Sequence, residues 1–269
     1  MNLKFSIITV CFNSERTIKD TVDSVVKQTY KNYEHIIIDG ASTDNTVKII
    51  EKYNKSSDKV NFISEIDQGI YDAMNKGIKV AKGDLIVFLN SDDTFEKEAL
   101  EVINKNYTDD IDLIFGDVYW YEKYKGTLYE KKLIISFPKI IDDKKMIPHN
   151  STFVKSSIMK ENLFDTKLKI CSDYKFFLAM YKQQRKIKYV PSRITNMMMG
   201  GISTTQLKLG LEEHINCQLE VLGYSDINIK KRKREIKLAI FLKYISNLIL
   251  PSNIYIRYRY INRGWKIKH

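Results

Sequence analysis

The sequence predicts an α/β protein with a mostly parallel central sheet flanked by helices. Three observations lead there. Residues 5–10 (FSIITV), 35–38 (HIII) and 85–89 (LIVFL) are unbroken apolar runs of strand length, the pattern of strands buried on both faces. Segments with helical apolar spacing separate them. Carboxylates stand at the strand exits: Asp39, then Glu65 and Asp67, then Asp92-Asp93. In such sheets ligands bind beyond the C-terminal ends of the strands. Polar turn residues at strand ends would give the same pattern at any one of these acids.

The elements follow in order. After the first strand, Ile18, Val22, Val25 and Val26 share one helix face, with Asn13 or Ser14 as cap. After HIII, Thr43 or Asp44 can cap a helix carrying Val47, Ile50 and Tyr53. Residues 60–64 read as a third strand, and Gly69 precedes a helix over 71–81 that Gly83 closes. Beyond Asp93 the alternation weakens. A helix over 96–106, a strand over 111–115 and Tyr-, Trp- and Lys-rich strands in 117–137 are expected. A helix over 174–184 and a short strand over 187–190, stopped by Pro191, follow. Residues 205–222 and 234–250 read as helices.

The 269 residues are 43% hydrophobic and 29% charged with four Pro and eleven Gly, which excludes a disordered or collagen-like chain. Cys11, Cys171 and Cys217 are too scattered for a disulfide framework, and no charged-then-apolar leader follows Met1. Both features predict buried thiols in a reducing, cytoplasmic setting. The formal charge is +11, and residues 230–269 carry all of the excess, with twelve Lys or Arg against Glu235 alone. That asymmetry points to an anionic partner for this segment.

Five groups of residues carry candidate chemistry. Asn90-Ser91-Asp92-Asp93 at a strand exit forms an oxygen-rich patch that suits Mg²⁺ or Mn²⁺ together with phosphate oxygens; it equally suits a helix cap. Asp39-Gly40-Ala41-Ser42 lets a flat ring approach the backbone, with Asp39 accepting a base N–H, or it is a plain strand–turn–helix. Ser172-Asp173 precedes an amphipathic run, as a cap or as an acid at a helix N-terminus. His149 could ligate metal, bond a diphosphate, line an acceptor pocket, or be satisfied by backbone. Asp117 with Tyr119-Trp120-Tyr121 offers a sugar-stacking face or a core strand, and Cys171 lacks the spacing of a nucleophile.

In order and spacing, Val10-Cys11-Phe12-Asn13, the IIDGASTDNT segment, Asp67-Gly69-Ile70-Tyr71-Asp72-Ala73-Asn75-Gly77, Gly83-Asp84 and FLNSDD resemble the motif series of family-2 glycosyltransferases with the GT-A fold. The similarity covers about the first 95 residues. PHNSTF (148–153) and Gly200-Gly201-Ile202-Ser203 are similar to segments of the bacterial branch that assembles surface polysaccharides. The resemblance implies a Rossmann-like GT-A catalytic domain over residues 1–204. Residues 1–95 form its nucleotide-sugar half and 96–204 its acceptor side, with a basic helical extension over 205–269.

It also implies roles. Phe12 lies against the nucleotide base and Asp39 bonds its ring N–H, while Asp72 and Asn75 stand near ribose and phosphates. Asn90-Ser91-Asp92 takes the D-x-D position, with Asn90 and Ser91 on the donor and Asp92 on Mg²⁺ or Mn²⁺; Asp93 and His149 are further candidate ligands. Asn90 departs from the pattern by replacing the first acid, so it brings no charge. Asp173 takes the place of the catalytic base, and Gly200-Gly201 that of a flexible segment over the diphosphate.

The implied reaction is inverting transfer of a hexosyl or N-acetylhexosaminyl group. It runs from a nucleoside-diphosphate sugar, UDP by family frequency, to a hydroxyl of a glycan or lipid-linked acceptor. A GT-A fold that lost turnover and a nucleotidyltransferase are the alternatives, although residues 11–15 are not a Gly-rich basic phosphate loop. In residues 230–269, a basic amphipathic pattern with Tyr255, Tyr258, Tyr260 and Trp265 fits a helix lying at an anionic membrane surface, or one packed on the body. The longest uncharged window there falls short of the roughly 20 residues a span needs. No nucleic-acid module is recognisable.

Overall fold

A computed structural model describes residues 2–124, 127–133, 147–201, 206–223, 234 and 264–268. The chain begins β1 (Phe5–Cys11), α1 (Ile18–Val26), β2 (Tyr33–Asp39), α2 (Thr46–Ser56), β3 (Val60–Ser64), α3 (Ile70–Val80) and β4 (Leu85–Phe88). These strands pair in parallel in the order β3-β2-β1-β4, as the apolar runs predict. Alternate residues feed opposite faces. Ile8, Val10, Ile36, Ile38, Ile86 and Phe88 pack with Tyr71, Met74 and Ile78 of α3, whereas Phe5, Ile7, Leu85 and Val87 belong to the core on the other face. Ile18, Val22 and Ile50 close α1 and α2 over Ile37. Helix α3 lies so close to β1 that a Cβ on Gly77 would sit 2.5 Å from Ile8 Cγ2, a distance only glycine permits.

The second half continues with β5 (Thr94–Phe95), α4 (Ala99–Asn106), β6 (Leu113–Tyr124), β7 (Thr127–Leu133), a 3₁₀ turn (His149–Ser151), β8 (Thr152–Lys155), α5 (Ser156–Glu161), α6 (Ser172–Lys182), β9 (Ile187–Met198), α7 (Leu207–Leu222) and β10 (Lys266–Ile267). Helices α5 and α6 join the core beside α3, and Ala99, Leu100 and Ile103 of α4 join the opposite one.

Here the structure bears out one expectation with an addition and corrects another. The parallel pairing expected of the sheet holds for β1 to β4 and for β6 with β9, and antiparallel pairs are added where β8 runs against β4 and β6, and β7 against β6 and β10. Only two residues separate β6 from β7, a connection that antiparallel strands alone can make. Strand β9 does not stop at Pro191 but runs on to Met198. Its register with β6 shifts so that Val190 faces Gly116 and Arg193 faces Asp117; Pro191 and Ser192 fall in this irregularity, where no ladder donor is required.

Helix α7 matches the helix expected over 205–222. Apart from residues 234 and 264–268, the helix expected over 234–250 and the interfacial segment expected over 230–269 lie outside the described residues. Residues 266–267 form a strand on β7, not part of a helix. Among the described residues, no helix is long and apolar enough to cross a membrane. The three cysteines are free and buried.

His35, fully buried in β2, bonds Thr9 Oγ1 through Nε2 at 2.9 Å, and its Nδ1 has no partner. Burial pushes its pKa down to about 3. The unfolded chain therefore takes up a proton near pH 6.5 that the folded chain refuses. Stability is complete above that pH and declines by up to about 1.4 kcal/mol per unit as pH falls toward 3. Urea unfolding at pH 7 and pH 5 should show the decline, and His35→Leu should flatten it; an equal slope in both proteins would refute the assignment.

Candidate active site

The exits of β1 and β2 form one stitched rim. Asn13, at φ 49°, places its Oδ1 to accept from the Thr43 amide at 2.9 Å, while its own amide donates to Ser42 Oγ at 2.8 Å. The Ser14 amide donates to Thr46 Oγ1 at 2.7 Å, and Ser14 Oγ meets Ser91 Oγ at 2.9 Å, joining this rim to the exit of β4. Asp44 accepts from the Thr46 amide at 2.9 Å and so starts α2, as its sequence position predicts.

Asp39 ends β2 with no exposed surface. Its Oδ1 accepts from Ser42 Oγ at 2.5 Å and faces Cys11 Sγ at 3.6 Å; its Oδ2 accepts from the Ser42 amide at 3.0 Å and Ser64 Oγ at 2.7 Å. A carboxylate offers about four lone-pair sites. In this structure they are turned inward, onto the loop after β2 and the end of β3. The open surface nearby belongs to other residues. Phe12 is 62% exposed and Ile66 83% exposed, and both are large apolar side chains that folding normally buries. A Cβ on Gly40 would lie 3.0 Å from Asp67 Oδ2 and 3.5 Å from Phe12 Cδ2, so Gly40 keeps a slot between carboxylate and ring. Lys76 Nζ holds Asp67 at 2.6 Å, Glu65 at 2.9 Å and Asp72 at 3.5 Å.

The second cluster gathers at the exit of β4. His149, in the 3₁₀ turn, links two distant segments: Nδ1 lies 2.9 Å from Asp173 Oδ2 and Nε2 3.2 Å from Asn90 Nδ2. Because the Asn90 amide donates to Nε2, the Nδ1 hydrogen belongs to the Asp173 bond. Asp173 stands in the first turn of α6 and is 3% exposed. Its Oδ1 also accepts from the Tyr174 amide at 2.8 Å and the Tyr71 hydroxyl at 3.0 Å. Next to this chain, Asp93 is buried; it accepts from Asn150 Nδ2 at 2.9 Å and from the Met198 amide at 3.1 Å.

Burial, reinforced by Asp92, pushes Asp93 up to about 7, and burial likewise raises Asp92. Burial disfavours charge on His149, but its bond to Asp173, with Asp93 and Asp92 nearby, raises it above the ordinary imidazole value.

These features fit a divalent cation held by few protein atoms. Asn90 Oδ1 is buried without a partner, and the half-buried Asp92 carboxylate stands next to the buried Asp93. Among the described residues, no three His, Cys, Asp or Glu side chains form a complete ligand set. Asp92 and the Asn90 amide oxygen are the donors on hand that would hold Mg²⁺ or Mn²⁺, hard ions that need few protein ligands.

The structure thus brings Asn90, His149 and Asp173 together with Asp92 and Asp93 beside them, and it joins Ser91 to the nucleotide-side rim. Asp72 instead accepts from the Gln68 amide at 3.0 Å. Asn75 is spent on the backbone of Phe164, donating to its carbonyl and accepting from its amide, both at 2.9 Å. Asp117 is buried against Lys132 and Tyr189, each at 2.6 Å, and Arg193 lies 4.2 Å over the Tyr119 ring. Burial pushes the Cys171 thiol up, consistent with an inert sulfur. Sequence reasoning missed Tyr71 and Asn150 as site residues. Both lie in quoted motifs, but only the fold shows that they hold Asp173 and Asp93.

A mixed sheet with acids gathered at its C-terminal rim is the GT-A architecture of nucleotide-sugar enzymes. TarS 1–349 of S. aureus in complex with UDP-GlcNAc shares this fold, with a TM-score of 0.64 and 21% identity over 81% of this chain and 65% of that one. So does the mannosyltransferase PcManGT of Pyrobaculum calidifontis in complex with GDP-Man and Mn²⁺, at 0.63 and 12% over 83% and 65%. The poly(ribitol-phosphate) beta-glucosyltransferase of Bacillus spizizenii is 31% identical over 199 residues, 69% of this chain and 30% of that protein. Across six curated relatives the matches span 18% to 44% of the relative's length. Glycosyl transferase family 2 matches residues 6–184, and the chain belongs to that family.

Removing the Asp39 carboxylate strands several buried donors, each costing about 1–3 kcal/mol. Asp39→Ala should therefore lower unfolding free energy by roughly 3 kcal/mol in urea titration; a loss under about 1 kcal/mol would show that Asp39 does not hold the rim.

Proposed function

We propose that the chain transfers a sugar, with inversion, from a UDP-linked donor to a hydroxyl of a glycan or lipid-linked acceptor in bacterial surface-polysaccharide synthesis. The observation that carries this reading is the unbroken link from Asn90 through His149 to Asp173, which ties the D-x-D position to a buried carboxylate at one sheet end. The relatives named above support the donor class and the polymer. UDP is preferred over GDP on family frequency.

Asp173 is the general base. Tyr71 and the Tyr174 amide fix Oδ1, and His149 orients Oδ2. The acceptor hydroxyl gives its proton to this carboxylate as its oxygen bonds to the anomeric carbon. The bond from that carbon to the diphosphate breaks on the opposite face, and the electron pair leaves with the diphosphate. A bound Mg²⁺ or Mn²⁺ supplies charge neutralisation on the leaving group. Asp92 and Asn90 would hold it. Phe12 and Gly40 offer the face against which the base lies.

A lipid-linked acceptor suits the cationic excess of residues 230–269, since each Lys or Arg near an anionic surface contributes about 1 kcal/mol. A GT-A fold kept only for carbohydrate binding draws on one observation, the amide at Asn90, and is opposed by the intact Asp173 network.

Asp173→Asn should slow transfer by about 10² to 10⁴, the usual contribution of a general base, while calorimetry shows unchanged nucleotide affinity. Near wild-type turnover would remove Asp173 from this role. Asn90→Asp adds a charge beside Asp92 and should tighten Mn²⁺ binding on the order of tenfold, as one unit charge near a protein surface can. Unchanged Mn²⁺ affinity by calorimetry would show that residue 90 does not face the ion.

A further inference from the structure

Helix α7 lies beyond the part of the chain that matches the family, yet it grips the turn that presents Asp173. Glu213, buried in the middle of α7, accepts three consecutive backbone amides. Lys169 donates to Oε1 at 2.9 Å, and Ile170 and Cys171 donate to Oε2 at 2.8 and 3.0 Å. Cys171 caps α6, and Asp173 sits in the first turn of that helix.

The carbonyl side of the same turn is held from the opposite direction. The single hydrogen of the Tyr71 hydroxyl is shared between the Ile170 oxygen at 2.6 Å and Asp173 Oδ1 at 3.0 Å. Glu213 at the N–H and this shared hydroxyl at the C=O therefore hold Ile170 from both sides. Further contacts from α7 reach residues beside Asp173: Gln218 Nε2 donates to the Tyr174 hydroxyl at 2.6 Å, His214 stacks on the Tyr174 ring at 3.9 Å, and Cys171 Sγ meets the Gly210 carbonyl at 3.2 Å.

Docking one helix on another needs no carboxylate, and burying one is costly unless donors compensate it. Three amides aimed at one carboxylate fix the path of the turn more tightly than apolar packing does. We infer that Glu213 is a positioning residue for the reaction: it sets the 169–171 turn and, through it, the place of the Asp173 carboxylate. This rests on the reading of Asp173 as the base.

The test compares wild type, Glu213→Ala, Glu213→Gln, Asp173→Asn and the Glu213→Ala/Asp173→Asn double variant. Turnover is read as nucleoside-diphosphate release from UDP- and GDP-sugars with water as acceptor. Nucleotide affinity is read by calorimetry with UDP and GDP in Mn²⁺, and the clamp itself by hydrogen exchange at the amides of residues 169–171. Glu213→Ala should expose those amides to exchange and lower turnover by about 10²-fold, the scale of a 1 Å misplacement, at unchanged nucleotide affinity.

Glu213→Gln, which keeps one acceptor oxygen, should recover part of the rate. The double variant should be no slower than Asp173→Asn, because Glu213 acts through Asp173. Equal losses in both backgrounds, or none, would overturn the positioning role. Unchanged exchange would overturn the clamp. Wild-type turnover in Asp173→Asn would overturn the base reading, and the role with it, while leaving the clamp visible by exchange. Should Glu213→Ala fail to fold, Glu213→Gln carries the same comparisons.

Discussion

Burying carboxylates side by side at one end of a sheet is the constraint on which the rest of this molecule depends. Asp39, Asp93 and Asp173 have almost no exposed surface, and Asp92 lies against Asp93. An isolated buried charge is untenable, so each must be matched by donors or shared charge. The fold meets this locally. Two serines and an amide answer Asp39, Asn150 and the Met198 amide answer Asp93, and Tyr71, a helix amide and His149 answer Asp173. His149 is the one imidazole of this cluster, and its bond to Asp173 and the acids around it raise its proton affinity against the cost of burial. Because the matching groups come from the loop after β2, from β3, α3, the 3₁₀ turn, β9 and α6, the charges themselves bind the two halves of the chain into one rim.

The same matching organises the rim around Asp39. A carboxylate held by donors on its own loop fixes the path of that loop, and Asp39, bonded to Ser42 and Ser64, is such a group. The surface left for a flat ring is the opposite kind, formed by the exposed Phe12 ring, the bare Gly40 backbone and the Asp67 carboxylate tethered by Lys76.

Much of this was legible in the sequence, for stated reasons. Strands buried on both faces write themselves as apolar runs, and the parallel topology then fixes which end carries the acids. Thus the exits at Asp39 and Asp92-Asp93 and the helix bearing Asp173 could be placed from the residues. Three things could not. The antiparallel half and the passage of β9 through Pro191 depend on partner strands that local pattern does not reveal. The diversion of Asn75 to the Phe164 backbone depends on a contact 89 residues away. The Glu213 clamp joins residues 42 to 44 positions apart, and a lone Glu on a helix carries no mark of three amides waiting for it.

The amide at residue 90 follows from the same charge constraint. A carboxylate there would add another acid to a cluster that has one imidazole to balance it, and it could only accept. Asn90 can do either. With His149 neutral, its Nδ2 donates to Nε2 while Nδ1 gives its hydrogen to Asp173. The exchange of acid for amide, which reads in the sequence as a loss, gives His149 a donor at Nε2 and so fixes the tautomer that presents Nδ1–H to Asp173, while Oδ1 stays unspent.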